Sequence, residues 1–210
     1  MNSKTVTNSN LLEIISVLKK GGVAIFPTDT VYTIGASIKQ PEALKKIFKI
    51  KERNITQSLP LLISRPEVAL EIADIQESAM SFFKKIWPSC WTFILKAKVQ
   101  LNPGLVGPDG TVALRCPNHS EALEILRSTG ETLAVSSANI SGEKSPIRFE
   151  EVAEELIDQV DIVLDAGPTS LGGQSAIARL TDQKFELIRS GCVSEDEIQR
   201  VQLLFENQIK

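Results

Sequence analysis

Gly21-Gly22-Val23-Ala24-Ile25-Phe26-Pro27-Thr28-Asp29-Thr30-Val31-Tyr32 sets a helix stop, an apolar run and a polar loop side by side. Upstream, Leu11, Ile14, Ile15 and Leu18 recur at helical spacing behind Asn10, a candidate N-cap, and the paired glycines end that helix. Residues 23–26 are apolar throughout and read as a buried strand. The polar residues 27–32 then fall at a strand end, where ligands bind in open α/β sheets. A turn in which Asp29 and the threonines hydrogen-bond their own backbone accounts for the same residues, and both readings stand.

Working outward, Pro41 opens a second helix through Leu44, Ile47 and Phe48 that runs into Lys51-Glu52-Arg53-Asn54. Residues 59–63 read as a strand despite Pro60, and residues 77–87 as an amphipathic helix carrying Met80, Phe83 and Ile86, ended by Pro88. Further strands are expected at 92–95, 111–116, 132–136, 162–164, 176–180 and 185–188, with helices near 121–127 and 149–157. A last helix starts at Ser194, where Glu195 and Glu197 suit a helix N-terminus. Helices mixed with strands throughout imply an α/β sheet covered by helices, antiparallel wherever consecutive strands lack a crossover helix.

The 210 residues, 42% hydrophobic, are enough for one substantial core, and no linker or repeat divides them. One domain over 1–210 is expected, with a core at about 11–191 and a C-terminal helix at about 194–208. A net charge of -3 gives no general attraction to nucleic acid or membrane, so any basic surface has to be local. Residues 1–10 carry no apolar run of signal or membrane-spanning length, which points to a soluble, cytoplasmic protein. Cys90, Cys116 and Cys192 are odd in number and far apart, arguing against a disulfide framework or a zinc site. His119 is the only histidine, so any Ser-His-Asp triad or histidine metal cage would rest on it alone.

Four clusters carry polar chemistry. Val135-Ser136-Ser137-Ala138-Asn139-Ile140-Ser141-Gly142, with Ser145, gathers compact donors and acceptors after a strand, which suits a binding loop. Lys51 and Arg53 read either as a solvated helix C-terminus or as a point charge and a fork for a polyphosphate. Thr111, Ala113 and Arg115 share one strand face, and Arg115 there suits a carboxylate or an ordinary surface ion pair. The turns Asp165-Ala166-Gly167-Pro168 and Gly172-Gly173-Gln174-Ser175 lack both the phosphate-loop and the dinucleotide fingerprints.

Taken in order, Pro27-Thr28-Asp29-Thr30-Val31-Tyr32, Lys51-x-Arg53, Trp87-Pro88, Thr111 to Arg115, Ser137-Ala138-Asn139-x-Ser141-Gly142, Asp165-Ala166-Gly167 and Ile188-Arg189-x-Gly191 resemble the YrdC-like threonylcarbamoyl-AMP synthases of the short, single-domain type. The resemblance implies a twisted, open, mixed parallel and antiparallel sheet flanked by helices around a large concave cleft. It implies condensation of L-threonine, bicarbonate or carbon dioxide, and ATP into threonylcarbamoyl-adenylate and pyrophosphate. The adenylate would pass to a tRNA-threonylcarbamoyl transferase complex, and magnesium would arrive with ATP rather than on a protein-held site. Thr30, Tyr32, Arg115, Val135 and Ser175 are implied around threonine. Lys51, Arg53, Thr111, Ser137, Asn139, Ser145 and Arg189 are implied around ATP, with Lys51 and Arg53 catalytic. Family members usually carry glycine where Thr33 stands. An RNA-binding, translation-associated protein of the same fold is the alternative.

Overall fold

The computed structural model describes residues 4–7, 11–130, 132–181 and 184–208, and Asn10 lies outside them. In chain order the elements are β1 (Lys4–Thr7), α1 (Leu11–Lys19), β2 (Ala24–Pro27), β3 (Tyr32–Ser37), α2 (Pro41–Ile50), β4 (Leu61–Ile63), α3 (Ala69–Ile72), α4 (Met80–Ile86) and β5 (Trp91–Lys96). Then come β6 (Thr111–Arg115), α5 (Ser120–Thr129), β7 (Thr132–Ser137), α6 (Glu154–Gln159), β8 (Ile162–Asp165), β9 (Ala176–Leu180), β10 (Phe185–Arg189) and α7 (Glu195–Gln208). The strands form one sheet in the order β1-β8-β2-β3-β7-β4-β6-β5-β9-β10. Pairings β1/β8, β2/β8, β4/β6 and β5/β9 are parallel and the rest antiparallel, as the lack of a crossover helix between several consecutive strands requires.

Two core clusters lie on opposite faces, because alternate strand residues point opposite ways. Ile25, Ile34, Leu61, Val112 and Leu114 join the larger cluster with α2, α4 and α7. Ala24, Phe26, Leu62, Leu133 and Val135 join the smaller one with α1 and α5. That second cluster reaches Leu62 on β4, and the next residue in register on the same face is not apolar but Arg115. Beyond it the buried positions of β6 and β9 alternate with half-open ones: Thr111 and Ala113 on β6, Ile177 and Arg179 on β9. The α1/α5 layer therefore covers one half of this face and leaves β6, β5 and β9 as the floor of a cleft.

Two strands escape a periodicity argument. β3 is buried at all six positions, so it has no polar face to alternate, and its Thr, Gly and Ser mask it as loop. β1 is mostly polar in composition. The helix expected at 77–87 begins as a 3-10 turn at Glu77–Ala79, and that expected at 149–157 splits into a 3-10 turn at Phe149–Glu151 and α6. β4 starts at Leu61 rather than 59 because Leu59 N–H turns to the Gly104 carbonyl and Pro60 has no N–H. Pro41 does occupy the first turn of α2.

Candidate functional site

The loop after β2 folds across the sheet face. Thr28 makes the tight turn, its N–H and hydroxyl both donating to the Val31 carbonyl at 3.1 and 2.9 Å. Thr169 Oγ1 and Leu171 N–H then hold the carbonyl oxygens of Thr30 and Asp29 at 2.9 Å each. Clamped in this way, Asp29 and Thr30 reach Arg115 on β6, although β7 and β4 stand between β3 and β6 in the sheet.

Arg115 is thus not a surface ion pair. It is 6% exposed, its Nη2 donates to Asp29 Oδ1, its Nη1 to Thr30 Oγ1 at 2.7 Å, and its Nε to the Ser89 carbonyl at 3.1 Å. A guanidinium has five N–H groups, so one remains on each terminal nitrogen. Asp29 keeps a free acceptor too: its Oδ2 is buried without a partner among the described residues. The turn reading of this loop holds for Thr28, whereas the Thr30 hydroxyl accepts from Arg115 and Asp29 is the Arg115 counter-ion.

Lys51 and Arg53 depart from the solvated-cap reading. Lys51 is 6% exposed and its Nζ donates to the carbonyls of Ser137, at 2.9 Å, and Asn139. Ser141 Oγ returns a bond to the Lys51 carbonyl at 3.0 Å, tying the end of α2 to the loop after β7. Burial, then the Arg53 charge, pull Lys51 down to about 8. Arg53 donates to the carbonyls of Gln57 and Ser58 at 2.7 and 2.8 Å. It lines a cavity of about 490 Å³ with Ser58, Ile94, Thr111, Ala113 and Arg179, so Thr111 and Arg53 border the same space. Thr111 Oγ1 donates to Asp109 Oδ1 at 2.6 Å.

At the far side, Arg189 Nε and Nη2 donate to the Ser175 carbonyl and hydroxyl at 3.0 and 3.2 Å, and Nη1 to Gln174 Oε1 at 2.7 Å. Thr92 Oγ1 donates to Ser175 Oγ at 3.0 Å, and Gln174 Nε2 reaches Ser145 Oγ at 3.2 Å. Gly191 makes this approach possible: a Cβ there would lie 2.4 Å from the Ser175 carbonyl, and its φ of +60° is one that side chains resist. Asn139 donates to the Ile140 and Glu143 carbonyls at 2.7 and 2.9 Å, leaving its buried Oδ1 without a partner among the described residues.

Two expected residues sit differently. Tyr32 is fully buried and donates to the Gly167 carbonyl at 2.7 Å, so it braces the Asp165 turn behind the cleft instead of facing it. Val135 lies mid-strand, its N–H donated to the Pro60 carbonyl at 2.9 Å. His119 is the N-cap of α5, its Nδ1 accepting from Ala122 N–H at 3.4 Å, and burial lowers its pKa. Thr92 joins the polar network without having been singled out, whereas the Gly-rich turn signalled Gln174 and the polar run 27–32 signalled Asp29.

Residues 16–191 match the family described as Sua5_yciO_yrdC, Telomere recombination. The chain is 32% identical to the threonylcarbamoyl-AMP synthase of Bacillus subtilis over 94% of its own length and 58% of the relative's. It is 32% identical to a putative threonylcarbamoyl-AMP synthase of Mycobacterium tuberculosis, covering 91% and 88% of the two chains. The structure of Pyrococcus abyssi Sua5 complexed with L-threonine superposes with a TM-score of 0.87 at 30% identity, covering 96% of this chain and 61% of that one. The chain thus spans little more than half the length of the Bacillus and Pyrococcus proteins, and it belongs to the Sua5/YciO/YrdC family.

Proposed function

From this membership and the placement of the cations, we propose that the chain is a threonylcarbamoyl-AMP synthase. It condenses L-threonine, bicarbonate or carbon dioxide, and ATP to threonylcarbamoyl-adenylate and pyrophosphate, and hands the adenylate to a transferase complex acting on tRNA in the cytoplasm. One observation carries the reading: Lys51, Arg53 and Arg189 donate only to neutral oxygens, and none pairs with a carboxylate among the described residues. In a protein of net charge -3, three such half-buried or buried cations make a local positive field that suits a triphosphate.

Threonine fits beside Arg115, whose two remaining N–H groups match one carboxylate. The free Asp29 Oδ2 is an acceptor for the amine or hydroxyl, with Thr30 and Ser175 alongside. The amine adds to carbon dioxide without an enzyme nucleophile, and a carbamate oxygen attacks the α-phosphate in line, expelling pyrophosphate. Lys51, Arg53 and Arg189 position the phosphates and offset the charge that develops on them. Thr111, Ser137, Asn139 and Ser145 complete the nucleotide side. Among the described residues no three metal-ligating side chains converge, and Asp29 and Asp109 are paired with Arg115 and Arg179. A magnesium ion arriving with ATP would be held by the triphosphate's own oxygens, where it lowers phosphate charge. No described helix is long and apolar enough to cross a membrane.

The test is pyrophosphate release by the pure chain given ATP and bicarbonate, with and without threonine. Release only with threonine is expected, and threonine-independent or absent release sinks the proposal. Arg53→Ala should weaken ATP use and Arg115→Ala threonine use, each by roughly 1.5–3 kcal/mol, or about one to two decades. Equal losses for both ligands in both variants would overturn the assignment of sides.

A further inference from the structure

The turn Gly172-Gly173-Gln174-Ser175 matches no phosphate or dinucleotide fingerprint, yet the fold pins it in place. The Gln174 carbonyl accepts from Cys192 N–H at 2.9 Å, and a Cβ added at Gly173 would lie 3.1 Å from that of Cys192, so the two turns pack with little room between them. This sets the Gln174 side chain between two residues of the nucleotide side that come from distant parts of the chain. Its Oε1 accepts from Arg189 Nη1 at 2.7 Å, and its Nε2 donates to Ser145 Oγ at 3.2 Å.

We propose that Gln174 is a positioning residue for the nucleotide: it leaves Arg189 its charge for the phosphates and turns the Ser145 hydroxyl into a donor for them. The direction of this chain of bonds follows from which groups can give a hydrogen. A guanidinium can only donate, so the amide oxygen of Gln174 must face Arg189 and its NH2 group must face Ser145. Ser145 Oγ then accepts from Gln174, and its own O–H is left to donate elsewhere. A phosphate oxygen offers only lone pairs, so a donating hydroxyl is the form it needs. The neutrality of the amide matters equally. Arg189 donates to the Ser175 carbonyl and hydroxyl and to the Gln174 amide, three uncharged oxygens that leave its charge uncompensated. A glutamate of the same shape would reverse both effects, because its carboxylate would neutralise Arg189 and, with no hydrogen to give, would draw the Ser145 O–H toward itself. Ser145 is buried, and the carbonyl of the next residue, Pro146, accepts from Tyr32 N–H at 2.8 Å, so its hydroxyl can rotate but the residue is held.

That the ligand is ATP rests on the synthase reading, whereas Gln174 would act on any polyphosphate, so two probes separate them. ATP and inorganic tripolyphosphate are titrated calorimetrically into the full chain and into Gln174→Glu, Gln174→Ala, Ser145→Ala and the Gln174→Glu, Ser145→Ala double variant. Gln174 is exposed, so urea midpoints should change little, and that of Gln174→Glu should match or exceed the wild type because it gives Arg189 a counter-ion. Its affinity for both probes should nonetheless fall about tenfold or more, whereas Gln174→Ala, which removes the bridge without adding charge, should cost about threefold. Ser145→Ala should cost about fivefold in the native background and less than about twofold in Gln174→Glu, where the hydroxyl already points away. A side chain that only braces the turn gives the opposite pattern, with alanine worse than glutamate and losses that add. Either of those results, or a Gln174→Glu chain that binds tripolyphosphate as tightly as the wild type, would overturn the role of Gln174. Wild-type protein that binds tripolyphosphate but not ATP counts against the synthase reading, and the variant series on tripolyphosphate still decides Gln174. Wild-type protein that binds neither overturns both.

Discussion

Arg115 and Lys51 are equally buried, yet their surroundings differ in kind: Arg115 faces the carboxylate of Asp29, and Lys51 faces only the carbonyls of Ser137 and Asn139. A paired cation is close to neutral as a unit and recognises by geometry, through the N–H groups left over. A cation held by carbonyls keeps its charge for whatever enters. On the proposed function, one cleft would carry two recognition modes: a directed one for a single carboxylate, and an electrostatic one in which Lys51, Arg53 and Arg189 act together. The cost also differs, since breaking a buried ion pair strands a charge, whereas removing Lys51 or Arg53 leaves neutral acceptors that water can reach.

The largest effect should come from breaking the paired side. Asp29→Ala leaves the Arg115 guanidinium buried without its counter-ion and should lower unfolding stability by about 3–5 kcal/mol. Arg53→Ala, at the half-open rim, should shift denaturant midpoints far less. Urea titrations of both variants decide it: a small loss for Asp29→Ala would mean that the pair is solvated and the contrast does not exist.

Next in size is the pH response of the carbonyl-held side. Because burial and Arg53 lower Lys51 to about 8, its charge is complete below that pH and is lost as pH rises through it. ATP affinity should then fall about tenfold between about pH 7 and 9, one proton's worth of linkage. Calorimetry on Lys51→Met should give a nearly flat profile in that range. A wild-type profile as flat as the variant's would show that Lys51 serves only to tie α2 to the loop after β7.

How legible these two sides were in sequence follows from their physics. Helix periodicity located α1, α2 and α5, which show one face to a core, and apolar runs located β2, buried on both faces, and most later strands. β3, also buried on both faces, stayed hidden because Thr33, Gly35 and Ser37 interrupt the apolar run that marks β2. The polar motifs named Lys51, Arg53, Arg115, Ser137, Asn139 and Arg189, but not their states. Whether Arg115 is paired depends on a loop crossing two intervening strands, and no local spacing encodes that.

The smallest predicted effect lies where the two sides meet. Thr33 is opposite Ser137 across β3 and β7, and its hydroxyl donates to the Val31 carbonyl at 3.3 Å, one residue from Thr30. With 4% exposure, its methyl is packed and its hydroxyl already used, so it presents nothing to a ligand on either side. Thr33→Gly, which restores the residue usual in the resembling synthases, should therefore cost roughly 0.5–1 kcal/mol through added backbone freedom in the strand. Threonine and ATP affinities should move little and together, since neither the Asp29 pair nor the Lys51 carbonyls change. A selective gain in ATP affinity would break this account, because it would mean that the Thr33 side chain narrows the nucleotide side alone.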